Sequence, residues 1–351
     1  METKIVRIDR EHFTDKDLAQ AGEYLRSGRL VAFPTETVYG LGGNAFDITA
    51  SQRIYAAKGR PSDNPLIVHI ADLSALTKLA VEIPDSAYLL ADAFWPGPLT
   101  MILKKQDAVP KETTGGLDTV AIRMPSDPIA AAMIRQSGVY VAAPSANTSG
   151  RPSTTKASHV IEDLDGKIDM IIDGGASMIG LESTIVDLTG EVPMILRPGF
   201  ITAEDLKEVL GEVKIDEALL KKSPSEPAIA KAPGMKYRHY APKAPLTIVE
   251  GETQKVTAFI NEQVAERTAK GEKVGVLATE ETKDAYQGSM VFCVGTRKDA
   301  QSIAAGLFDV LRSFDGTGVT SIFSESFSDS RLGMAIMNRL IKAAGYHVIS
   351  L

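Results

Sequence analysis

The chain has 351 residues, of which 44% are hydrophobic and 24% are charged. This length exceeds what a single hydrophobic core usually supports, so we expect two domains. The formal net charge of −7 disfavours general binding of polyanions, and the only cysteine, Cys293, excludes an internal disulfide and a cysteine-based zinc site.

The first predicted domain, residues 1–211, alternates short apolar runs with helical stretches. It begins without the apolar core of a signal peptide, and no run approaches the roughly 20 apolar residues of a membrane helix, which predicts a cytoplasmic protein. The predicted strands are Leu30–Phe33, Leu66–Ile70, Leu99–Lys104, Thr119–Met124, Val139–Ala143, Ile168–Ile172, Thr184–Leu188 and Met194–Arg197. The predicted helices are Asp17–Ser27, Thr49–Lys58, Asp85–Phe94, Asp127–Gln136 and Thr202–Leu210. The alternation predicts an α/β fold with a mixed, twisted sheet.

Residues 212–245 have the composition of a linker, with several prolines and little periodicity. No acidic residue occurs between Glu226 and Glu250, whereas cations and aromatic side chains are frequent. They are Lys231, Lys236, Tyr237, Arg238, His239, Tyr240 and Lys243. This mixture favours a lid that closes over the first domain and brings Tyr237 to a nucleotide, and a passive basic linker is the alternative.

The last predicted domain, residues 246–351, is a smaller α/β unit with a Rossmann-like rhythm. Its predicted strands are Leu246–Val249, Lys273–Ala278, Met290–Val294 and Thr320–Phe323. Its predicted helices are Val256–Lys270, Asp299–Ser313 and Gly333–Ala344. It lacks a G-x-G-x-x-G motif after its first strand, so we assign it no dinucleotide.

Familiar catalytic motifs are missing from the sequence. It contains no P-loop, no H-E-x-x-H zinc motif and no G-x-S-x-G nucleophile elbow. The sequence therefore indicates neither a covalent nucleophile nor a metal held by protein side chains.

Chemistry is indicated instead by polar loops that follow strands. PTETVYGLGGNA, from Pro34 to Ala45, offers hydroxyls, one carboxylate and glycines that admit a ligand or positive φ, although a strand-to-helix turn would use the same residues. KGRPSDNPLIVHI, from Lys58 to Ile70, places two cations at a predicted helix end. They could equally complement the helix dipole, and His69 could be purely structural.

Two arginines lie in or at the end of apolar strands. Arg123, in LDTVAIRMP, needs an anionic partner, either a protein carboxylate or a substrate carboxylate held in a fork. Arg197 follows the GLESTIVDL segment, and the hydroxyl-rich loop APSANTSGRPS contributes Arg151. Together with Lys58 and Arg60, these cations predict a basic, hydroxyl-lined cavity suited to a triphosphate and a carboxylate.

These segments resemble one known family. PTETVYGLG, KGRPSDNPLIVHI, WPGPLT, LDTVAIRMP, APSAN, GLESTIVDL, LRPG and APGMKYRHYAP are similar to the motifs of the threonylcarbamoyl-AMP synthases, whose catalytic domain is called YrdC-like. The matches run in order from Pro34 to Pro242, and the chain resembles the long form, with a linker and a C-terminal Rossmann-like domain.

The resemblance implies an activity and its partners. The family converts L-threonine, bicarbonate or CO2, and ATP into threonylcarbamoyl-AMP and pyrophosphate. ATP would carry Mg²⁺, and partner proteins would then transfer the threonylcarbamoyl group to the adenosine beside the anticodon of tRNA, so that this chain contacts tRNA weakly or indirectly.

The resemblance also implies site residues. Threonine would be held by Thr35, His69, Arg123, Ala143 and Ser183. ATP would be held by Lys58, Arg60, Ser62, Asn64, Thr119, Ser145, Asn147, Ser153, Arg197 and Tyr237. The catalytic cations among these would be Lys58, Arg60 and Arg197.

Two other functions remain open on sequence grounds. One is a carbamoyltransferase domain of the hydrogenase-maturation kind, which also makes a carbamoyl-adenylate but accompanies cysteine-rich zinc segments. The other is a non-catalytic RNA-binding module, which the acidic composition disfavours.

Overall fold

A computed structural model of the chain, which describes residues 2–219, 232, 239–328 and 331–351, contains two β-sheets flanked by helices. The first sheet has eleven strands and the second has five. No helix in these ranges is long and apolar enough to cross a membrane. The predicted α/β class, with a mixed sheet followed by a smaller parallel one, is confirmed.

The first sheet contains both parallel and antiparallel neighbours, in the order β1-β8-β2-β3-β7-β4-β6-β5-β9-β10-β11. Its strands are β1 Lys4–Arg7, β2 Val31–Phe33, β3 Gly40–Asn44, β4 Ile67–His69, β5 Leu99–Lys104, β6 Thr119–Arg123, β7 Val141–Ala143, β8 Met170–Asp173, β9 Thr184–Asp187, β10 Met194–Arg197 and β11 Lys214–Ile215. Its helices are α1 Ala19–Arg26, α2 Ile48–Lys58, α3 Leu76–Leu79, α4 Asp85–Phe94, α5 Pro128–Ser137, α6 Ala157–Leu164 and α7 Ala203–Leu210. Strand β11 lies in the stretch predicted as linker, so the first sheet continues past residue 211.

The second sheet is parallel throughout, in the order β14-β13-β15-β12-β16. Its strands are β12 Leu246–Glu250, β13 Val274–Ala278, β14 Met290–Cys293, β15 Ser321–Glu325 and β16 Val348–Ser350. Its helices are α8 Thr253–Ala269, α9 Ala300–Ser313 and α10 Gly333–Ala343. Parallel strands need crossover connections, which are usually helices. Helix α8 packs in one apolar cluster of this domain, and α9 and α10 pack in another.

Strand alternation gives the first sheet two different faces. One face carries the large core that includes Val68 and Ile122. On the other face, residues of α1 and α5 pack against one half of the sheet, around β2, β7 and β8. The remaining half, on β4, β6 and β5, has a small apolar cluster that Ala232 joins from the segment between the domains. The candidate functional site lies on this second half.

The two domains share an apolar core. Val38 and Leu181 of the first domain belong to the same buried cluster as Leu307 and Phe308 of α9 and Ile336 of α10. Burial of apolar surface from both sides opposes separation of the domains. The face of the second sheet that carries α9 and α10 therefore lies against the first domain.

Strand β3 was not predicted because its sequence, GLGGN, is rich in glycine, which has little preference for strands. Its glycines do not have positive φ, contrary to one expectation for this loop. A Cβ atom on Gly42 would lie 2.7 Å from Val141 Cγ1 and 3.0 Å from the Phe33 ring. Close packing against neighbouring side chains explains the glycine at this position.

We expect Gly42→Ala to destabilise the protein, because the added methyl group has no room. Overpacking of this kind costs about 1–3 kcal/mol in unfolding free energy. Gly190→Ala is the matched control, since the nearest atom to its Cβ is Val192 O at 3.8 Å. Urea unfolding of both variants measures the effect, and equal midpoints for Gly42→Ala and Gly190→Ala would contradict it.

Candidate active site

A basic cleft lies on the second half of the first sheet, between strand ends, loops and the end of the linker. Its empty space, including the open solvent at its mouth, is about 700 Å³. Its walls come from the five motif segments that we predicted to carry chemistry and from the end of the linker. The lining residues that the argument uses are Thr35, Lys58, Arg60, His69, Arg123, Ala143, Ser145, Asn147, Ser153, Glu182, Ser183, Arg197 and Tyr240.

Strand register builds one wall of the cleft. His69 on β4 pairs with Arg123 on the parallel strand β6, and Arg123 pairs with Thr100 on the antiparallel strand β5. Side chains at paired positions point to the same face of a sheet, so these three lie in one row. Thr100 Oγ1 then contacts Ser183 Oγ at 2.7 Å, which extends the row to the start of β9.

Arg123 is buried and already has protein partners. Its Nε donates to Gly97 O at 3.3 Å, and its Nη1 donates to Thr37 Oγ1 at 2.9 Å. Its Nη2 lies 2.6 Å from Glu36 Oε1, and Glu36 is buried as well. Of the two partners that the sequence left open, the protein carboxylate is therefore present. A guanidinium has five N–H groups, so each terminal nitrogen keeps at least one N–H group for a further acceptor.

Glu36 stays ionised beside this arginine. Burial alone would raise the pKa of its carboxyl, but the charge of Arg123 and its hydrogen bond hold that pKa below the usual value. The loop that carries Glu36 is ordered by Thr35. The Thr35 hydroxyl donates to Val38 O at 2.6 Å and accepts the Thr37 and Val38 N–H groups at 3.2 Å. Glu36 and Arg123 thus form a fixed, neutral pair at the base of the cleft.

His69 is a neutral imidazole. Burial, followed by the neighbouring Arg123 charge, lowers the pKa of His69 to about 3. Its Nδ1 lies 3.0 Å from Ile67 O, and because a carbonyl only accepts, the proton is on Nδ1. His69 Nε2 is then an acceptor, which can receive a hydrogen bond without adding positive charge to the wall.

Lys58 joins two of the loops. It is the last residue of α2, which Gly59 ends in a left-handed conformation with φ 62°. Its ammonium donates to the backbone carbonyls of Ser145 and Asn147, which belong to a different loop. Burial, and then the charge of Arg60, lower the pKa of Lys58 well below its usual value. Its carbonyl contacts lie on another loop rather than on its own helix, so its role extends beyond complementing the dipole of α2.

Arg197 and Ser183 hold each other at the β9 end of the wall that the paired strands build. Arg197 Nε donates to Ser183 O at 3.0 Å, and Arg197 Nη2 donates to Ser183 Oγ at 3.1 Å. Burial lowers the pKa of Arg197 to about 10, which leaves it charged at neutral pH. Arg60, whose Nη2 donates to Pro65 O at 3.1 Å, and Arg151, which pairs with Asp163, also line the cleft.

Most of the predicted site residues meet in this cleft. All five predicted threonine residues line it, as do the predicted ATP residues Lys58, Arg60, Ser145, Asn147, Ser153 and Arg197. Three predicted ATP residues do not line it. Ser62 is exposed, and Asn64 is buried and accepts a hydrogen bond from the Arg60 side chain through its backbone carbonyl. Thr119 lies at the opposite end of β6 from Arg123. Tyr237, like most of the predicted lid, lies outside the described residues.

Glu182 and Tyr240 also line the cleft, although the sequence assigned Glu182 no role and named Tyr240 only as part of the predicted lid. Tyr240 has φ 65°, which is unusual for a bulky residue, and its ring stacks on Phe308 of α9 at 5.2 Å. Glu182 Oε1 accepts the Ser153 hydroxyl at 2.5 Å. The available signal for Glu182 was its position next to Ser183 in the GLESTIVDL segment. Its ion-pair partner, Arg339 of the second domain, could not be identified from the local sequence.

Comparison with known proteins gives consistent matches. A family model described as Telomere recombination matches residues 23–199, and one described as the C-terminal domain of threonylcarbamoyl-AMP synthase matches residues 201–345. The chain is 50% identical to the threonylcarbamoyl-AMP synthase of Pyrococcus abyssi over 99% of both chains, and 52% identical to that of Bacillus subtilis over 95% of both. It matches the crystal structure of P. abyssi Sua5 complexed with L-threonine with a TM-score of 0.94 at 49% identity, covering 99% of this chain and 100% of that one.

We expect the His69 ring to remain neutral between pH 5 and pH 8, because its pKa is lowered to about 3. NMR of ¹⁵N-labelled histidines, with His69 assigned by its loss in His69→Gln, should show no titration of this ring in that range. A histidine-containing peptide, which titrates at a pH of about 6.5, is the reference. A midpoint for His69 near that of the peptide would contradict the neutral acceptor.

Proposed function

This chain belongs to the threonylcarbamoyl-AMP synthases, and we propose that its cleft is where L-threonine, bicarbonate or CO2, and ATP become threonylcarbamoyl-AMP and pyrophosphate. The observation that supports this use of the cleft is its composition. A row containing His69, Arg123 and Ser183 suits an amino acid, and the cations Lys58 and Arg197 suit a triphosphate.

We assign threonine to the row of paired strands. Its carboxylate would accept the two remaining N–H groups of Arg123, and Ser183 and Thr35 would supply hydroxyls nearby. Ala143 would border the side chain. The neutral His69 can accept a hydrogen bond from the threonine hydroxyl or amine through Nε2. The paired Glu36 keeps Arg123 oriented before substrate arrives.

We assign ATP to the loops around Lys58. Lys58, Arg60 and Arg197 would face the phosphates, and the hydroxyls and amide of Ser145, Asn147 and Ser153 would bind phosphate or ribose oxygens. Ser62, Asn64, Thr119 and Tyr237 belong to the predicted ATP set and stay predictions.

The substrates supply the nucleophile in this reaction. The neutral amine of threonine adds to CO2 and gives a carbamate. A carbamate oxygen then attacks the α-phosphorus of ATP, and pyrophosphate leaves. The cleft has to align these groups and stabilise the charge on phosphorus, which fixed cations do without a covalent step.

Magnesium fits this site as a companion of ATP. Among the described residues, no three His, Cys, Asp or Glu side chains converge as metal ligands. The two carboxylates at the cleft, Glu36 and Glu182, are each ion-paired with an arginine. We therefore propose that Mg²⁺ is held chiefly by the phosphates, whose charge it would neutralise.

The wider assignment follows from the family. We propose that the adenylate passes to proteins that transfer its threonylcarbamoyl group to the adenosine beside the tRNA anticodon. The net charge of −7 supports a weak or indirect contact with tRNA. A cytoplasmic location belongs to the same proposal.

The test of the function is pyrophosphate release from ATP that requires threonine and bicarbonate together. Omitting either should abolish release. Release that needs carbamoyl phosphate instead would indicate the carbamoyltransferase alternative. RNA binding without any release would indicate the RNA-binding module.

We expect Arg123→Lys to raise the KM for threonine by about tenfold or more, because lysine keeps the charge but loses the bidentate geometry. The KM for ATP should change far less. Arg135→Lys, on the exposed side of α5, is the matched control and should leave both unchanged. An unchanged threonine KM in Arg123→Lys would leave Arg123 as a partner of Glu36 alone.

A further inference from the structure

Arg339 belongs to the second domain, yet it is completely buried against the base of the cleft. It lies on α10 and has no exposed surface. Its Nε donates to Glu182 Oε2 at 3.0 Å and its Nη2 donates to Glu182 O at 3.3 Å. Its Nη1 donates to Pro198 O. Three donors of one side chain therefore cross the domain boundary to two segments of the first domain.

In both segments, the residue that Arg339 contacts is adjacent in sequence to a residue that lines the cleft. Glu182 precedes Ser183, and Pro198 follows Arg197. Arg197 and Ser183 bind each other through two hydrogen bonds on the cleft side. Arg339 connects the same two segments from behind, so it fixes the distance between them.

Glu182 also binds a third segment of the first domain, the loop that carries Ser153. While one oxygen accepts from Arg339, the other accepts the hydroxyl of Ser153 at 2.5 Å. Burial would raise the pKa of the Glu182 carboxyl, but the charges of Arg339 and Arg197 hold it below the usual value. Glu182 is therefore a carboxylate that aims Ser153, and Arg339 is its direct ion-pair partner.

We propose that Arg339 is a positioning residue for the nucleotide half of the cleft, and that the second domain is needed for ATP binding because it supplies this residue. Without Arg339, Arg197 would be the remaining arginine whose charge stabilises the buried carboxylate of Glu182. Arg197 would then be drawn toward Glu182 and away from the phosphates. The identity of the nucleotide rests on the proposed function.

A second arginine of the same domain has a parallel arrangement. Arg312 on α9 is buried, and its Nη2 donates to Pro152 O at 2.7 Å and to Asp163 Oδ2 at 2.8 Å. Pro152 precedes Ser153, and Asp163 Oδ2 also accepts the Thr148 N–H at 2.8 Å. Consecutive helices of the second domain thus hold the loop that carries Asn147 and Ser153.

A simpler role for Arg339 would be to attach the two domains. The chain offers a matched control for that role, because Arg331 also crosses the boundary, where it pairs with Asp205. Arg331 is 70% exposed and neither residue lines the cleft. Loss of the Arg331 pair removes an attachment without touching the site.

The experiment measures ATP affinity by calorimetry in the full chain. Arg339→Met should weaken ATP binding by about tenfold or more, because the unpaired Glu182 carboxylate would compete with the phosphates for Arg197. Arg339→Met combined with Glu182→Gln removes the stranded charge, so it should recover a large part of that loss. Arg339→Lys should fall between wild type and Arg339→Met. Arg331→Met should bind ATP as wild type does.

Three outcomes would overturn the proposal. They are unchanged ATP affinity in Arg339→Met, no recovery in the double variant, and a loss in Arg331→Met as large as in Arg339→Met. If Arg339→Met does not fold, Arg339→Lys decides, and wild-type affinity in that variant overturns it. Wild-type chain that releases no pyrophosphate with threonine and bicarbonate would refute the proposed function, whereas these binding comparisons test Arg339 itself.

Discussion

The rest of the site depends on how buried carboxylates are neutralised beside a cleft for anions. Glu36 pairs with Arg123, Glu182 with Arg339, and Asp163 with Arg312, and all six residues are buried. A buried charge without a partner is strongly unfavourable, whereas a paired one can hold its neighbours in a single geometry. Because each carboxylate has its own arginine, none of these three pairs uses Lys58, Arg60 or Arg197, the cations to which we assign the phosphates.

This arrangement explains how the cleft could work without a nucleophilic side chain. Its cations are held by backbone carbonyls before any ligand is bound, as Lys58 is by Ser145 and Asn147. Preorganised charge of this kind stabilises a transition state without the cost of reorientation. The neutral His69 fits the same design, since a charged imidazole beside Arg123 would raise the repulsion in the wall. The enzyme's part is then to align the carbamate with the α-phosphorus.

Much of the fold and of the site was predictable from local sequence, and the remainder depends on tertiary structure. Apolar runs such as Leu99–Lys104 predicted strands because burial and β-branched residues act locally. The strand GLGGN was missed because its reason is close packing against Phe33 and Val141. The residues predicted to bind threonine could be found from local motifs, and they line one cleft. The pair of Arg339 and Glu182 could not be found in this way, because the two residues are 157 positions apart and meet only in the folded chain. The lid prediction rests on Tyr237, which lies outside the described residues. On either side of it, Ala232 is buried against the first sheet and Tyr240 is buried in the core that the two domains share.

The central claim is that a carbamate made from threonine attacks ATP directly while the protein contributes position and charge. The most direct test uses bicarbonate labelled with ¹⁸O, mixed with threonine, ATP and enzyme and stopped before the label exchanges with water. The product adenylate is then fragmented in a mass spectrometer. The account predicts one ¹⁸O in the AMP fragment, because the oxygen that joins carbon to phosphorus comes from bicarbonate. An AMP fragment without label would contradict it, since that oxygen would then have come from ATP or from a group on the enzyme.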